Sequence, residues 1–175
     1  MKYQIKKIIP IVIILILSII ACSTYKWSID SKTVNGNTLE SDIGLWKICA
    51  ILTGTKGTSD LTCYDMTNKI EGIPDSKYLK MVKILSILGI STLFLSLILS
   101  ITNIKSREYS VICLLLSGIF LITAAILWSV DNKLNGKAYN ILGYDFKHGY
   151  SWYLELISGI LSILIGGLIQ FNILE

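Results

Sequence analysis

Long apolar runs alternate with polar segments along this chain. A transmembrane α-helix needs about 20 predominantly apolar residues, and four runs approach or exceed that length. They therefore predict four membrane-spanning helices, separated by a long polar segment, a short connector and a second polar segment. The predicted spans cover residues 8–25, 81–104, 109–130 and 151–173, and the two polar segments cover residues 26–80 and 131–150.

The positions of the basic residues predict how these helices are oriented. Lys2, Lys6 and Lys7 precede the first run without any acid, and the connector after the second run contains Lys105 and Arg107. Because cytoplasmic segments are enriched in such residues, the N-terminus and this connector are predicted to lie inside the cell. With four spans, both termini are then cytoplasmic, and the two polar segments face outside.

The first apolar run has two rival interpretations. A basic start, an apolar middle and a small residue at Ala21 also describe a cleavable signal peptide, and Ile19-Ile20-Ala21-Cys22 resembles the cleavage site of a bacterial lipoprotein. Because three further spans follow, we expect the first run to be retained as a helix. Pro10 lies near its start, where proline costs a helix little.

The long polar segment carries the pattern of a small β-sheet. Asn35-Gly36 is a good two-residue turn signal, and Gly54 and Gly57 mark a second turn. The apolar positions around these turns are scattered, as in short strands that are half exposed. We predict three antiparallel strands, at Tyr25–Ser31, Leu45–Leu52 and Leu61–Met66.

The composition agrees with a polytopic membrane protein. The chain is 53% hydrophobic and 16% charged, whereas soluble domains average about 25% charged residues. Its 175 residues have room for four spans and one small external domain, and not for an additional soluble enzyme. The net charge of +4 is modest, so membrane lipid is expected around the chain and nucleic acid is not expected as a partner.

Candidate catalytic and metal-binding residues are sparse. His148 is the single histidine, and a lone loop histidine is more often an exposed polar residue than a ligand or base. The sequence contains no Cys/His cluster, Ser/His/Asp constellation, phosphate-binding loop or H-E-x-x-H motif. We therefore expect no enzymatic activity, no metal site and no cofactor.

Two of the four cysteines lie in the long external segment, fourteen positions apart. Outside the cell, Cys49 and Cys63 are expected to form a disulfide rather than to remain free thiols. Closing a loop of that size stabilises a protein by roughly 3 kcal/mol in the chain-entropy estimate. Cys22 and Cys113 lie in or beside apolar spans and are expected to be small core residues.

Two charged residues fall inside predicted spans. Glu155 lies in the outer half of the fourth span, where a carboxylate is costly and usually faces a partner or water. Lys83 lies near the outer end of the second span, from which its ammonium group can reach the lipid headgroups. A functional polar site at Glu155 and a structural ion pair with Lys83 are equally consistent with the sequence.

The first polar segment also carries a family signature. Trp27, then Gly44-Leu45-Trp46 with Cys49, and a second cysteine at Cys63 stand in the first external loop of a predicted four-span protein. This arrangement resembles the claudin and peripheral myelin protein superfamily. The segment from Phe146 to Leu154 also resembles the start of that family's fourth helix, although Glu155 and Leu156 stand where many claudins have glycine and tryptophan.

The resemblance implies a fold and a set of roles. The fold is an all-α membrane bundle of four helices, left-handed, with a small extracellular antiparallel β-sheet completed by a strand from the second loop. The resemblance also implies that Trp27, Leu45 and Trp46 tie this sheet to the tops of the helices. Asp65, which follows the second cysteine, falls at the usual position for ion selectivity in claudins.

The function implied by the resemblance is that of a claudin-like integral protein of the plasma membrane. It would associate with itself or with related four-span proteins, laterally and across cell contacts, and form an adhesive contact, a paracellular barrier or a channel. Direct binding of scaffold domains is not expected, because the chain ends in Ile173-Leu174-Glu175 rather than in a hydrophobic residue.

An alternative is a membrane-organising or channel accessory subunit of the epithelial membrane protein and gamma-subunit type. Those branches often carry a glycosylation sequon in the first loop, and none occurs here. The chain has fifteen lysines and one arginine, and it is rich in isoleucine and asparagine. This bias suggests an AT-rich coding sequence, as in a virus- or parasite-encoded homologue that acts on host membranes.

Overall fold

The computed structural model describes residues 2–34, 37–54, 57–58, 60–65, 77–102, 107–140 and 145–171. These residues form four α-helices and one small antiparallel sheet, which confirms the predicted fold class. The helices are α1 (Lys2–Ser23), α2 (Lys77–Thr102), α3 (Arg107–Asn140) and α4 (Tyr150–Gln170). The strands are β1 (Ser28–Val34), β2 (Asn37–Ile43), β3 (Lys47–Gly54), β4 (Gly57–Thr58), β5 (Thr62–Asp65) and β6 (Asp145–His148).

Three of the helices are long and apolar enough to cross a membrane. The crossing segments are Tyr78–Thr102, Glu108–Asp131 and Tyr150–Gln170. The apolar part of α1, Lys7–Ser23, is shorter and lies at the lower end of the length range for a span, about 17 residues. It ends at Ser23, two residues before the predicted limit at Tyr25, and the Thr24 N–H still donates to the Ile20 carbonyl at 3.1 Å.

Helix α3 is longer than the hydrophobic pattern predicts. The third span was predicted to end at Val130 and residues 131–150 to form a loop, whereas the helix continues to Asn140 and is followed by β6. Hydropathy marks where a helix leaves the apolar layer and not where its backbone stops turning. The polar residues that follow Val130 therefore extend the same helix beyond the predicted span.

The sheet contains more strands than the three predicted. Its order is β4-β3-β2-β1-β6, and β5 also pairs with β3. Strand β2 (Asn37–Ile43) was not predicted, because its polar residues weaken the alternation of apolar and polar positions that indicates a strand. Strand β6 comes from the segment after α3 and pairs with β1, as the resemblance implies.

The strand limits also differ from those predicted. Strand β1 begins at Ser28 instead of Tyr25, and β3 begins at Lys47 instead of Leu45. In both cases, the residues before the strand enter the helix bundle, where Trp27 and Leu45 are fully buried. Met66, the predicted end of the last strand, lies outside the described residues.

Strand register divides β2, β3 and β5 into two faces. Residues that stand opposite each other on paired strands point to the same face, and successive residues alternate. One face, which we call the apolar face, carries Leu39, Ile43, Ile48, Ala50, Leu52 and Tyr64. The reverse face carries Glu40, Asp42, Lys47, Cys49, Ile51, Cys63 and Asp65.

Serine hydroxyls and small residues hold the helices together. Ser117 of α3 donates a hydrogen bond to the carbonyl oxygen of Gly89 in α2, at 2.9 Å. Ser162 of α4 donates to the carbonyl oxygen of Leu114 in α3, at 2.7 Å. Because lipid provides no hydrophobic drive between helices, such bonds and close backbone packing supply much of the association between membrane helices.

Candidate functional site

All four tryptophans of the chain lie where the sheet meets the helices, and each donates its indole N–H to a hydrogen bond. The bonds run from Trp27 to the Ala21 carbonyl (2.7 Å), from Trp46 to the Cys22 carbonyl (2.9 Å), from Trp128 to the Ser28 hydroxyl (2.8 Å) and from Trp152 to the Ala125 carbonyl (2.8 Å). Two of these bonds fall at the end of α1, where helix carbonyls lack partners within the helix. The tryptophans thus satisfy polar groups while burying large apolar rings.

Trp27 is at the centre of this junction. Its side chain is fully buried and meets the Trp128 ring edge-on, with ring centroids 5.3 Å apart. Leu45 is also fully buried, and both pack with Cys22 and Val82 in one cluster beneath the sheet. This packing accounts for the large apolar side chains of Trp27 and Leu45 in a segment that is otherwise polar.

The sequence pattern did not indicate roles for Trp128 and Trp152 in this junction. Trp128 lies near the predicted end of the third span, where an aromatic residue is commonly interpreted as a lipid anchor. Its N–H instead reaches Ser28, a hundred positions earlier in the chain. Trp152 stacks on His148, with centroids 4.2 Å apart and an interplanar angle of 13°.

Backbone hydrogen bonds close the junction beside the tryptophans. The Gly149 N–H donates to the Trp27 carbonyl at 2.9 Å, and the Ser151 N–H donates to the Lys26 carbonyl at 3.1 Å. A Cβ on Gly149 would overlap the Lys26 carbonyl oxygen, and one on Gly44 would overlap the Tyr25 backbone. The two glycines therefore allow three chain segments to approach one another directly.

The predicted disulfide is confirmed. Cys49 of β3 and Cys63 of β5 stand opposite each other in the strand register and are joined through their sulfur atoms. Their Cα atoms are 4.1 Å apart. Cys49 is 1% exposed, so the bridge ties the outermost strand pair to the buried part of the sheet.

The charged residues beside the disulfide remain in contact with solvent. The Lys47 Nζ atom is 4.0 Å from a carboxylate oxygen of Asp65, and both side chains are more than half exposed. An exposed pair of this kind contributes little to stability. Asp65 is thus placed at the surface of the sheet, where the carboxylate can meet dissolved ions.

A second ion pair lies at the base of the sheet. The Lys26 Nζ atom is 3.3 Å from a carboxylate oxygen of Asp42, and the Asp42 side chain is 18% exposed. The nearby Asp42 carboxylate raises the pKa of Lys26 above its usual value, because the negative charge favours the protonated ammonium.

The two charged residues predicted inside the spans do not pair with each other. The Lys83 ammonium lies over the Trp46 ring, 5.1 Å from its centroid, in a cation–π contact. Glu155 is fully buried in α4, and the Ser86 hydroxyl of α2 lies beside its carboxyl group. Of the two alternatives, the ion pair with Lys83 is therefore not formed, and Glu155 remains a buried carboxyl group.

Within the described part of the chain, no three His, Cys, Asp or Glu side chains come close enough together to hold a metal ion. The residues described above form a surface, namely a sheet closed by a disulfide and fixed to helix ends by tryptophans.

An apolar bundle of four helices that carries such a sheet defines an integral membrane protein with one small domain outside the apolar layer. The family described as PMP-22/EMP/MP20/Claudin matches residues 1–169, and the chain belongs to this family. No curated protein matches the chain. Family membership supports a membrane protein of the claudin type, whose members are generally structural and not enzymatic.

Proposed function

We propose that this claudin-like membrane protein forms contacts through its sheet, laterally and across adjoining plasma membranes, and so contributes to an adhesive contact or a paracellular barrier. In this proposal, both termini are cytoplasmic and the sheet is extracellular. The partners are further copies of the chain or related four-span proteins. The observation that carries the proposal is the exposed margin of the apolar face of the sheet.

The apolar face of the sheet is buried near the helices and exposed to solvent at its outer margins. Ile43 packs against the cluster beneath the sheet, whereas Leu52 and Tyr64 at the outer margins are 48% and 59% exposed. Exposed apolar groups of this kind, when contiguous, mark protein–protein interaction sites. Tyrosine in particular is enriched at the centres of interfaces.

The construction of the sheet favours this use. The disulfide between β3 and β5 restricts the strand pair that carries Tyr64 and Leu52, and the tryptophan junction restricts the base of the sheet. A surface that is already ordered loses less conformational freedom when it binds. In the same proposal, Asp65 on the reverse face borders the path taken by ions between cells.

The test is expression of the protein in cells that lack junctions. We expect the wild type to concentrate where two expressing cells meet, and L52S/Y64S to lose this enrichment while reaching the cell surface in the same amount. Removing one interface anchor commonly weakens binding by on the order of tenfold or more. The measurement is the ratio of fluorescence at cell contacts to fluorescence at free membrane.

The matched control changes Glu40 and Thr53, which are exposed on β2 and β3 and face the other way. The variant E40S/T53S should retain the enrichment. If the wild type neither concentrates at contacts nor changes the transepithelial resistance of an epithelium, the adhesive function is wrong and an accessory role is favoured.

A further inference from the structure

The two cysteines of the disulfide differ in their access to solvent. Cys49 is 1% exposed, whereas Cys63 is exposed, as are the other residues of β5. Residues 48–50 of β3 pair with β2 on one side and with β5 on the other, so β5 lies on the outer side of β3. Among the described strands, none pairs with the far edge of β5. The bridge is therefore open to solvent on the side of Cys63.

The strand register also determines from which direction each sulfur can be attacked. In thiol–disulfide exchange, a thiolate attacks one sulfur from the side opposite the other sulfur, and access decides which of the two reacts. Asp42, Cys49 and Cys63 stand in one row across β2, β3 and β5 and point to the same face. A thiolate reaches Cys63 across the exposed outer margin of the sheet. The approach to Cys49 comes from β2, where the Asp42 carboxylate is 18% exposed and paired with Lys26.

We propose that Cys63 is a thiol-exchange site, at which a low-molecular-weight thiol outside the cell opens the bridge. The thiolate sulfur bonds to the Cys63 Sγ atom while the bond between Cys63 and Cys49 breaks. The electron pair of that bond leaves with the Cys49 sulfur, which takes a proton from water and becomes a thiol. The incoming thiol is thus oxidised to a mixed disulfide, and Cys49 is reduced. A neutral thiol suits the buried position of Cys49, because free cysteine behaves as a small apolar residue.

Exchange at Cys63 loosens the outermost strand of the sheet. Exposed disulfides are generally the labile and regulatory ones. Strand β5 has four residues, and its strand partner in the described part of the chain is β3. The exposed ion pair between Lys47 and Asp65 adds little to hold the two strands together. Because β5 carries Tyr64, opening the bridge weakens the contact surface, and this regulatory step rests on the proposed function.

The first test locates the mixed disulfide on the purified full chain in nanodiscs after incubation with reduced glutathione. Acid stops the exchange, N-ethylmaleimide then labels free thiols, and mass spectrometry of the peptides locates both groups. We expect glutathione on Cys63 and N-ethylmaleimide on Cys49, in several-fold excess over the reverse arrangement. Equal amounts of the two arrangements, an excess of glutathione on Cys49, or a bridge that stays closed while glutathione opens the disulfide of an unstructured peptide would overturn the proposal.

Two variants of β2 test the direction of attack. D42A clears the approach to Cys49 and should raise the share of glutathione on Cys49 several-fold. The matched control is E40A, because Glu40 lies on the same strand and points to the same face. It should keep the distribution of the wild type. An unchanged distribution in a folded D42A would overturn the direction of attack, and the wild-type peptide map decides the question if D42A does not fold.

The second test examines regulation at cell contacts. Reduced glutathione added outside expressing cells should lower the ratio of fluorescence at contacts to fluorescence at free membrane, and C113S should respond as the wild type does, since its bridge is intact. An unchanged ratio, once exchange at Cys63 has been mapped, would overturn the regulatory step. If the untreated wild type does not concentrate at contacts, the proposed function fails instead, and the peptide map still decides whether Cys63 is the exchange site.

Discussion

The variant W27A is expected to lose on the order of 10 °C in melting temperature. Truncating a buried tryptophan to alanine costs about 3–5 kcal/mol, and each kcal/mol corresponds to roughly 2–4 °C in a chain of this length. Trp27 is fully buried, contacts Trp128 and satisfies the Ala21 carbonyl at the end of α1. The measurement is thermal unfolding of the purified protein, together with the amount that reaches the cell surface.

The control for this prediction is F94A. Phe94 is 55% exposed on α2, where the side chain faces the surroundings of the bundle, so its removal should change the melting temperature little. Equal melting temperatures for W27A and the wild type would show that Trp27 does not hold the sheet to the helices.

The variant C49S/C63S is expected to destabilise the sheet while leaving the helix bundle folded. A bridge across 14 positions contributes roughly 3 kcal/mol by restricting the unfolded chain. Reducing the wild type with a thiol reagent should have the same effect as the double substitution. Limited proteolysis in the segment between β3 and β5 measures the opening of the sheet, and the helical signal in circular dichroism monitors the bundle.

The matched control is C113S. Cys113 is a free cysteine on α3, and its replacement should leave the proteolysis pattern unchanged with and without reductant. If the double variant resists proteolysis as well as the oxidised wild type does, the disulfide is not what closes the sheet.

Features that depend on local pattern could be predicted from the sequence. The four apolar runs predicted the helices, and two cysteines in one external segment predicted the bridge between Cys49 and Cys63. The Gly44-Leu45-Trp46 motif and its cysteines predicted the family. In each case, hydropathy or residue spacing within one segment carries the information.

Features that depend on distant contacts could not be predicted in this way. The hydrogen bond between Trp128 and Ser28 joins residues a hundred positions apart, and nothing near either residue indicates it. Lys83 and Glu155 do not form the ion pair that the sequence allowed. The Lys83 ammonium instead lies over the Trp46 ring. The extension of α3 to Asn140 was missed because polar residues continue a helix without leaving an apolar signal.

The orientation of the sheet can be measured directly with an amine-reactive label that does not cross membranes. Lys47 and Lys147 are exposed on the sheet, and Lys105 stands in the chain between α2 and α3. On intact cells, Lys47 and Lys147 should be modified, and Lys105 should react only after the cells are permeabilised. Labelling of Lys105 on intact cells, with Lys47 and Lys147 protected, would contradict an extracellular sheet and any function that depends on it.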